Sequence, residues 1–166
     1  GEKTKLGLEG RDEDIANFIT RMKNLSRAGI RVICYNWMPV IGWYRTDKAW
    51  PGRGNALVTA FDNDKIKERS NTEYGEISKE QLWANLEYFL KAVVPEAEKY
   101  GINLAMHPDD TQADEIRGIS RIMTPVDNFK LMLEIYPSAS HGMTLCQGHF
   151  SLMGQDIPDI VVVFGP

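Results

Sequence analysis

Three short clusters of polar residues in this sequence carry side chains that could take part in chemistry. They are Tyr35-Asn36-Trp37, His107-Pro108-Asp109-Asp110 and Cys146-Gln147-Gly148-His149. Each cluster closes a short apolar run, so we expect each at the end of a buried strand. The imidazole of His107 and the thiolate of Cys146 are both metal ligands, and together they suit Zn²⁺, Fe²⁺, Co²⁺ or, less well, Mn²⁺. The pair therefore predicts a divalent-metal site.

The same residues also have ordinary structural interpretations. A lone histidine after a strand is more often a loop or capping residue than a ligand, and a lone cysteine there is more often a small buried hydrophobe. Asp109 and Asp110 are candidate bases or supports for a metal ligand, but a pair of acids after proline is also a common turn. Arg45 could hold a substrate carboxylate through a bidentate contact, or lie on the surface. Spacing alone leaves these alternatives open.

Other residues near the clusters have predicted places as well. Cys34 lies inside the first apolar run, and we expect a core thiol remote from His107 and Cys146. His141 precedes the third run, and we expect a structural residue at the opposite end of the sheet. Three tryptophans, Trp37, Trp43 and Trp50, could stack on a sugar or form a hydrophobic cluster under the long connection in which they lie.

The apolar runs that must position the clusters alternate with helical patterns. The runs are RVICYN (31–36), INLAMH (102–107) and MTLCQ (143–147). Helical periodicity covers 12–28, 79–100 and 125–135, and we favour a helix over a strand for 157–164. Pro95 should kink or split the second of these helices. Helix, short turn and buried strand, repeated three times, predict an α/β fold with a parallel sheet. Ligands bind beyond the carboxyl ends of such strands.

The connection 37–77 and the composition narrow the possible functions. A connection of that length is usually functional or partly disordered. The net charge of −4 argues against nucleic-acid or anionic-membrane partners, which need clustered Lys and Arg. No apolar run is long enough to span a bilayer. Two widely separated cysteines do not form a disulfide framework, so we expect a reducing cytoplasm.

Three stretches carry a resemblance to a known family. The sequence GIRVICYNWMPVIGWYRTD (29–47) resembles a mannonate dehydratase segment that reads, loosely, GI-x-x-x-CYN-[FW]-MPV-x-x-W-x-RTD. The next hallmark of that family is a helix with a P-x-A-E pattern before a strand closed by HPDD, and LKAVVPEAEKYGINLAMHPDD (90–110) is similar to it. The third is matched by RGISRIM (117–123) and GMTLCQG (142–148). The resemblance covers about residues 12–166, with the motifs in the family's order.

The resemblance implies a parallel (β/α)₈ TIM barrel of the sugar-isomerase-like kind. It also implies a lyase that removes water from D-mannonate to give 2-keto-3-deoxy-D-gluconate, in hexuronate breakdown. The cofactor would be a divalent metal, commonly Mn²⁺, with Fe²⁺, Co²⁺ or Zn²⁺ as alternatives. His107 and Cys146 match metal-ligand positions of the family, whereas the place of His149 does not. The remaining metal ligands and the proton-transfer groups of the family lie on later strands, beyond Pro166, so no catalytic residue is assigned within this chain.

Binding of the sugar acid is expected to involve three further residues. Asn36 and Arg45 would hold the carboxylate, and Asp110 is a candidate contact to the substrate or to a metal ligand. The expected partners are this small molecule and further copies of the chain, as a homo-oligomer, with no nucleic acid and no membrane.

A complete barrel needs about 200 residues or more. We therefore expect residues 1–166 to form one partial-barrel domain of about three βα units, with an open sheet edge, an uncovered apolar face and no activity alone. Two other classes remain: a metal-dependent sugar isomerase or epimerase on the same barrel, and a non-catalytic fragment or interaction domain. Isomerases of that kind favour carboxylates over a thiolate ligand.

Overall fold

The computed structural model describes residues 1–165. Its helices are α1 (Glu2–Leu6), α2 (Arg11–Arg27), α3 (Asn63–Lys67), α4 (Lys79–Tyr100), α5 (Val126–Ile135), α6 (Gln147–Leu152) and α7 (Ile157–Phe164). Its strands are β1 (Val32–Tyr35), β2 (Asp47–Pro51), β3 (Leu57–Ala60), β4 (Asn103–Met106), β5 (Glu115–Ile116), β6 (Ile119–Ser120) and β7 (His141–Met143). The four predicted helices are confirmed as α2, α4, α5 and α7. None of the helices in this range has the length and apolar character needed to cross a bilayer.

A three-stranded parallel sheet forms the centre of the fold, in the order β1-β4-β7. Tyr35 of β1 pairs with Met106 of β4, which in turn pairs with Met143 of β7. The predicted parallel neighbours in that order are therefore confirmed. Among the described residues, β1 and β7 have no further strand beside them, so both edges of the sheet are open.

The third strand lies two residues earlier in the chain than the sequence predicted. It spans His141–Met143 rather than 143–147, and Cys146 is the N-cap residue of α6. The amide of Thr144 still donates to the carbonyl of Met106, at 2.8 Å, before the chain leaves the sheet. The mostly apolar run MTLCQ misled the prediction because it continues through this exit into the start of α6, and its residue types do not show where the strand ends.

Helix α4 packs on the sheet and on helices α1, α2 and α5. Ser78 caps its first turn, where its hydroxyl accepts from the amide of Gln81, and Gly101 ends it in the left-handed conformation. The buried stripe comprises Leu82, Leu86, Phe89, Leu90, Val93, Val94 and Ala97. Each large side chain in it contributes about 1.5–3 kcal/mol. This burial outweighs the hydrogen bond that Pro95 removes, worth about 1 kcal/mol, and the predicted split does not occur.

The connection 37–77 is more ordered than the sequence indicated. It contains the antiparallel hairpin β2–β3 and the short helix α3. Most residues of both strands are exposed, so the apolar alternation that marks a half-buried strand is missing. The connection is anchored at its start by the buried side chains of Trp37 and Met38. At its end, Ile77 pairs with Ile119 of β6.

Cys34 is exposed, and its prediction as a core thiol was wrong. Ile33 and Tyr35 point towards the helices and the hydrophobic core, so the intervening Cys34 points to the opposite face of the sheet. Its sulfur lies 3.2 Å from the hydroxyl oxygen of Thr144. That face is open, and Val32 in the same strand is 58% exposed.

His141 opens β7 instead of preceding the strand. It lies on the helix side of the sheet, buried, with Nε2 3.0 Å from the hydroxyl oxygen of Tyr35. Burial lowers the pKa of His141 to about 4, and burial raises the pKa of Tyr35. Both groups are therefore neutral near pH 7, in keeping with the structural role expected for His141. Its place at the amino end of β7 also agrees with the predicted end of the sheet, although it lies inside the strand and not before it.

Candidate functional site

The structure brings three potential metal donors together beyond the carboxyl ends of β4 and β7. His107 follows β4 directly, and Cys146 and His149 lie at the start of α6. One donor atom from each of the three residues lies within 4.8 Å of the other two, and all three residues are half-buried. The predicted proximity of His107 and Cys146 is thus confirmed, while their role as metal ligands stays a prediction.

Main-chain hydrogen bonds at the strand ends fix this arrangement. The amide of His107 donates to the carbonyl of Tyr35 at 2.7 Å, which extends the β1–β4 ladder by one residue. The amide of Phe150 donates to the carbonyl of Cys146 at 3.1 Å and closes the first turn of α6. Because both backbones are held, the two side chains meet without a flexible loop between them and the sheet.

His149 is the residue of the cluster that the sequence prediction left out. Its Nδ1 lies 2.9 Å from the sulfur of Cys146, and its ring packs edge-on against that of His107, with centroids 5.0 Å apart. A cysteine and a histidine three residues apart at the start of a helix share one face. That Cys-x-x-His spacing was the available signal, and it was outweighed by the family motif, in which this position is not a ligand.

The electrostatic surroundings of His149 favour the neutral ring. Burial is the largest effect and lowers the pKa of His149. The Asp110 carboxylate raises this pKa, whereas His107 and Arg45 lower it further. Nε2 of His149 is 3.8 Å from Oδ2 of Asp110. A neutral imidazole keeps a lone pair that can bind a cation.

Asp110 is held by Arg45 through a bidentate ion pair. The two terminal nitrogens of Arg45 donate to the two carboxylate oxygens of Asp110, at 3.1 and 2.8 Å. One of them also donates to the carbonyl of Tyr44, at 2.8 Å. Arg45 thus uses three of its five N–H donors inside the protein. The bidentate contact predicted for Arg45 was with a substrate carboxylate and stays a prediction; in the structure its bidentate partner is Asp110.

Asp109 and Asn36 have mainly structural contacts. Asp109 is fully buried, and its Oδ2 accepts from the amides of Ile122 and Met123. Burial raises the pKa of Asp109, against the effect of Arg121 and of those amides. The carbonyl oxygen of the Asn36 side chain accepts from Nζ of Lys5 at 3.1 Å. The side-chain N–H groups of Asn36 can therefore still donate to a ligand. Asp109 instead connects the turn after β4 to the segment with Ile122 and Met123.

The three tryptophans considered for sugar stacking have different positions. Trp37 is buried in the main core, with its indole N–H donating to the carbonyl of Leu82. Trp50 is exposed on β2 beside Lys65. The ring of Trp43 lies 6.1 Å from that of His107, between centroids, and is 56% exposed. Trp43 is therefore the tryptophan that borders the donor cluster.

A divalent cation fits these donors. Nδ1 of His107 lies 2.7 Å from the carbonyl oxygen of Pro108, which can only accept, so this nitrogen carries the proton. In the neutral ring Nε2 then carries the lone pair, which is the usual arrangement of a metal-bound histidine. Together with Cys146, the ring can hold a cation that accepts nitrogen and sulfur ligands.

The fold and the site define an α/β chain with candidate metal ligands beyond the ends of parallel strands. The model of the D-mannonate dehydratase (UxuA) family matches residues 1–74 and 70–166. The chain therefore belongs to the D-mannonate dehydratase family.

Individual relatives agree with this assignment. The chain is 37% identical over 173 residues to the mannonate dehydratase of Streptococcus uberis, covering 90% of this chain and 49% of the relative. It is 36% identical over 196 residues to that of Endomicrobium trichonymphae, covering 99% and 54%. The crystal structure of mannonate dehydratase from Streptococcus suis serotype 2 superposes with a TM-score of 0.86 at 35% identity, over 99% of this chain and 48% of that one. The chain thus spans about half the length of these relatives.

Proposed function

We propose that the protein containing this chain dehydrates D-mannonate to 2-keto-3-deoxy-D-gluconate and needs a divalent cation to do so. The observation that carries the proposal is the meeting of His107 and Cys146 within 4.8 Å at the strand ends of a chain from this family. The thiolate weighs against a sugar isomerase or epimerase, which would favour carboxylate ligands.

We also propose that residues 1–166 form one part of a (β/α)₈ barrel. The parallel order β1-β4-β7 and the open edges support this, since closing a barrel needs further strands. The exposed face around Val32 and Cys34 would then point to the barrel interior. The family relatives are about twice as long as the stretch matched here.

The proposed reaction removes the proton at C2 of the sugar acid and the hydroxyl group at C3. That proton is only weakly acidic, because the neighbouring carboxylate is already negative. A bound divalent cation supplies the positive charge that offsets the charge developing there. His107 and Cys146 would hold the cation. We assign no proton-transfer residue among 1–166, and we propose that those groups lie in the remainder of the protein.

Four side chains would contact the substrate. Arg45 keeps two N–H donors after its contacts to Asp110 and Tyr44, and these would bind the substrate carboxylate. The side-chain amide of Asn36 would donate to the same group. Asp110, fixed by Arg45, would accept from a substrate hydroxyl next to the donor cluster. Trp43 would cover one face of the sugar.

We further propose a homo-oligomer that works in the cytoplasm. A reducing compartment would keep the free thiols of Cys34 and Cys146 available. Helix α7 exposes Val161, Val162 and Val163, and this apolar surface is suited to contact with the rest of the barrel or with a second copy.

The direct test is a dehydration assay on the metal-stripped full-length protein. Adding Mn²⁺ should restore formation of the keto acid from D-mannonate, and a chelator should remove it. The 166-residue chain alone should give no turnover. Turnover by that chain would place the acid and base among Asp109, Asp110, His149 and Tyr35. Absence of turnover in the reloaded full-length protein would contradict the proposed reaction.

A further inference from the structure

His149 occupies the place of a third ligand in the donor cluster. The family motif assigns no such role to this position, and the sequence prediction excluded it. The structure nevertheless places its imidazole against both His107 and Cys146. The three donors come from two segments only, the residue after β4 and the first turn of α6. All of them lie within the described part of this chain.

Cys146 and His149 lie slightly closer together than two ligands of one metal ion would. Ligand bonds of about 2.0–2.3 Å place two donors on one metal roughly 3.5 Å apart at tetrahedral angles. Nδ1 of His149 and the sulfur of Cys146 are 2.9 Å apart, which is a hydrogen-bond distance. A cation that replaced the shared proton would need these two atoms to separate by roughly 0.6 Å. A small rotation of either side chain supplies that movement.

The nature of the donors determines which cation they select. Two imidazoles and one thiolate form a nitrogen–sulfur set, which suits Zn²⁺ and Co²⁺, whereas Mn²⁺ prefers carboxylate and water oxygens. Asp110 offers such oxygens nearby, but it is not among the residues whose donor atoms meet in the cluster. The donors present in this chain therefore favour Zn²⁺ or Co²⁺ over the Mn²⁺ that the resemblance implied.

We infer that His107, Cys146 and His149 form a three-donor metal site within this chain, which binds Zn²⁺ or Co²⁺ more tightly than Mn²⁺. The inference rests on the proposed function for the presence of a metal site, and adds to it the third ligand and the preference among metals. The chain alone can thus bind metal without the ligands that its family contributes from later strands.

The test is metal binding by the purified 166-residue chain, with Co²⁺, Zn²⁺ and Mn²⁺ as probes. Bound Co²⁺ should show a thiolate-to-metal absorption band. Zn²⁺ should displace the Co²⁺ and abolish this band, whereas an equal concentration of Mn²⁺ should not. X-ray absorption of the Zn²⁺-loaded chain should count two imidazoles and one sulfur. A count of one imidazole, or displacement of Co²⁺ by equal Mn²⁺, would overturn the inference.

Variants separate the ligands from one another. His149→Ser should weaken Zn²⁺ binding by about 100-fold or more, above the range seen when only an outer hydrogen-bonding partner is lost. It should also leave one imidazole in the X-ray absorption. His149→Cys restores a donor and should recover most of the affinity, which a change in folding would not. Cys34→Ser is the matched control, because this second thiol lies outside the cluster and should leave Zn²⁺ binding unchanged.

The outcomes distinguish this inference from the proposed function. One outcome is that His107→Ala and Cys146→Ser abolish Zn²⁺ binding while His149→Ser keeps an affinity within twofold of the wild type. The assignment of His149 as third ligand is then wrong, and the proposed metal site stands. If none of the three variants changes binding, both the inference and the proposed site are wrong. A similar loss of Zn²⁺ binding in all three variants, together with loss of the Co²⁺ absorption band in Cys146→Ser, supports the inference.

Discussion

Arg45 and Asp110 are joined by two parallel hydrogen bonds, one to each carboxylate oxygen, at 3.1 and 2.8 Å. The Asp110 side chain is only 4% exposed and that of Arg45 29%. This pair ties the connection after β1 to the turn after β4, and it sets the carboxylate beside His149.

Removing Arg45 should therefore destabilise the protein. Arg45→Ala leaves a nearly buried carboxylate without its cation, and we expect a loss of about 1–3 kcal/mol in the free energy of unfolding, measured by urea denaturation. The loss should be smaller in an Asp110→Asn background, because a neutral amide needs no cation. Lys67→Ala is the control. It breaks the exposed pair with Asp64, which solvent screens, and should lower the free energy of unfolding far less than Arg45→Ala does. Equal effects of the two alanine variants would contradict a role for burial.

Trp43 should contribute to binding of the sugar acid. Its ring borders His107, so Trp43→Ala should raise KM for D-mannonate by about 3–10-fold with little change in kcat, as expected for the loss of one aromatic contact. The matched control is Trp50→Ala, which removes an equally exposed ring that lies beside Lys65. A KM that responds to Trp50→Ala and not to Trp43→Ala would show that the sugar lies elsewhere.

His141 should make stability depend on pH. Burial lowers its pKa to about 4 in the folded protein, from 6.5 in the unfolded chain. Between these values the unfolded chain binds more protons, so this contribution to stability is fully present above pH 6.5 and is lost as the pH falls towards 4. The whole effect amounts to about 3 kcal/mol.

The pH dependence can be isolated with His141→Asn. Wild type and variant should be compared by chemical denaturation from pH 7.5 to pH 4. The wild type should lose more stability than the variant over this window, by up to about 3 kcal/mol. Other titrating groups, including the buried Asp109, remain in both proteins and cancel in the difference. Parallel stability curves would mean that His141 is already solvated or charged in the folded state.

The sequence predicted the regular elements better than their ends. Apolar periodicity located α2, α4 and α5 because each buries one continuous stripe in the core. It misplaced β7, since Leu145 and Cys146 continue the apolar character of the strand while the backbone leaves the sheet. It missed β2 and β3 because exposed strands carry no alternating pattern. The face on which Cys34 lies depends on which side of the sheet is covered, which a local run of residues does not contain.

The order of the elements predicted where the site lies, but it did not predict which side chains contact each other there. Parallel strands end at one edge of a sheet, so His107 and the segment with Cys146 had to approach each other. The pairing of Arg45 with Asp110 joins residues 65 positions apart, and no local pattern indicates it. His149 joined the cluster because Cys146 caps a helix, whereas a strand would have turned the two side chains apart.

The proposed function depends on the thiolate of Cys146, and not that of Cys34, as a ligand of the metal needed for dehydration. The measurement is bound metal and rate of D-mannonate dehydration for full-length Cys146→Ser and Cys34→Ser, side by side with the wild type. A hydroxyl is a poor substitute for a thiolate ligand, so Cys146→Ser should lose metal and lower the rate by about 10-fold or more. Cys34→Ser should keep its metal and most of its rate. Full metal and full rate in Cys146→Ser would contradict the account.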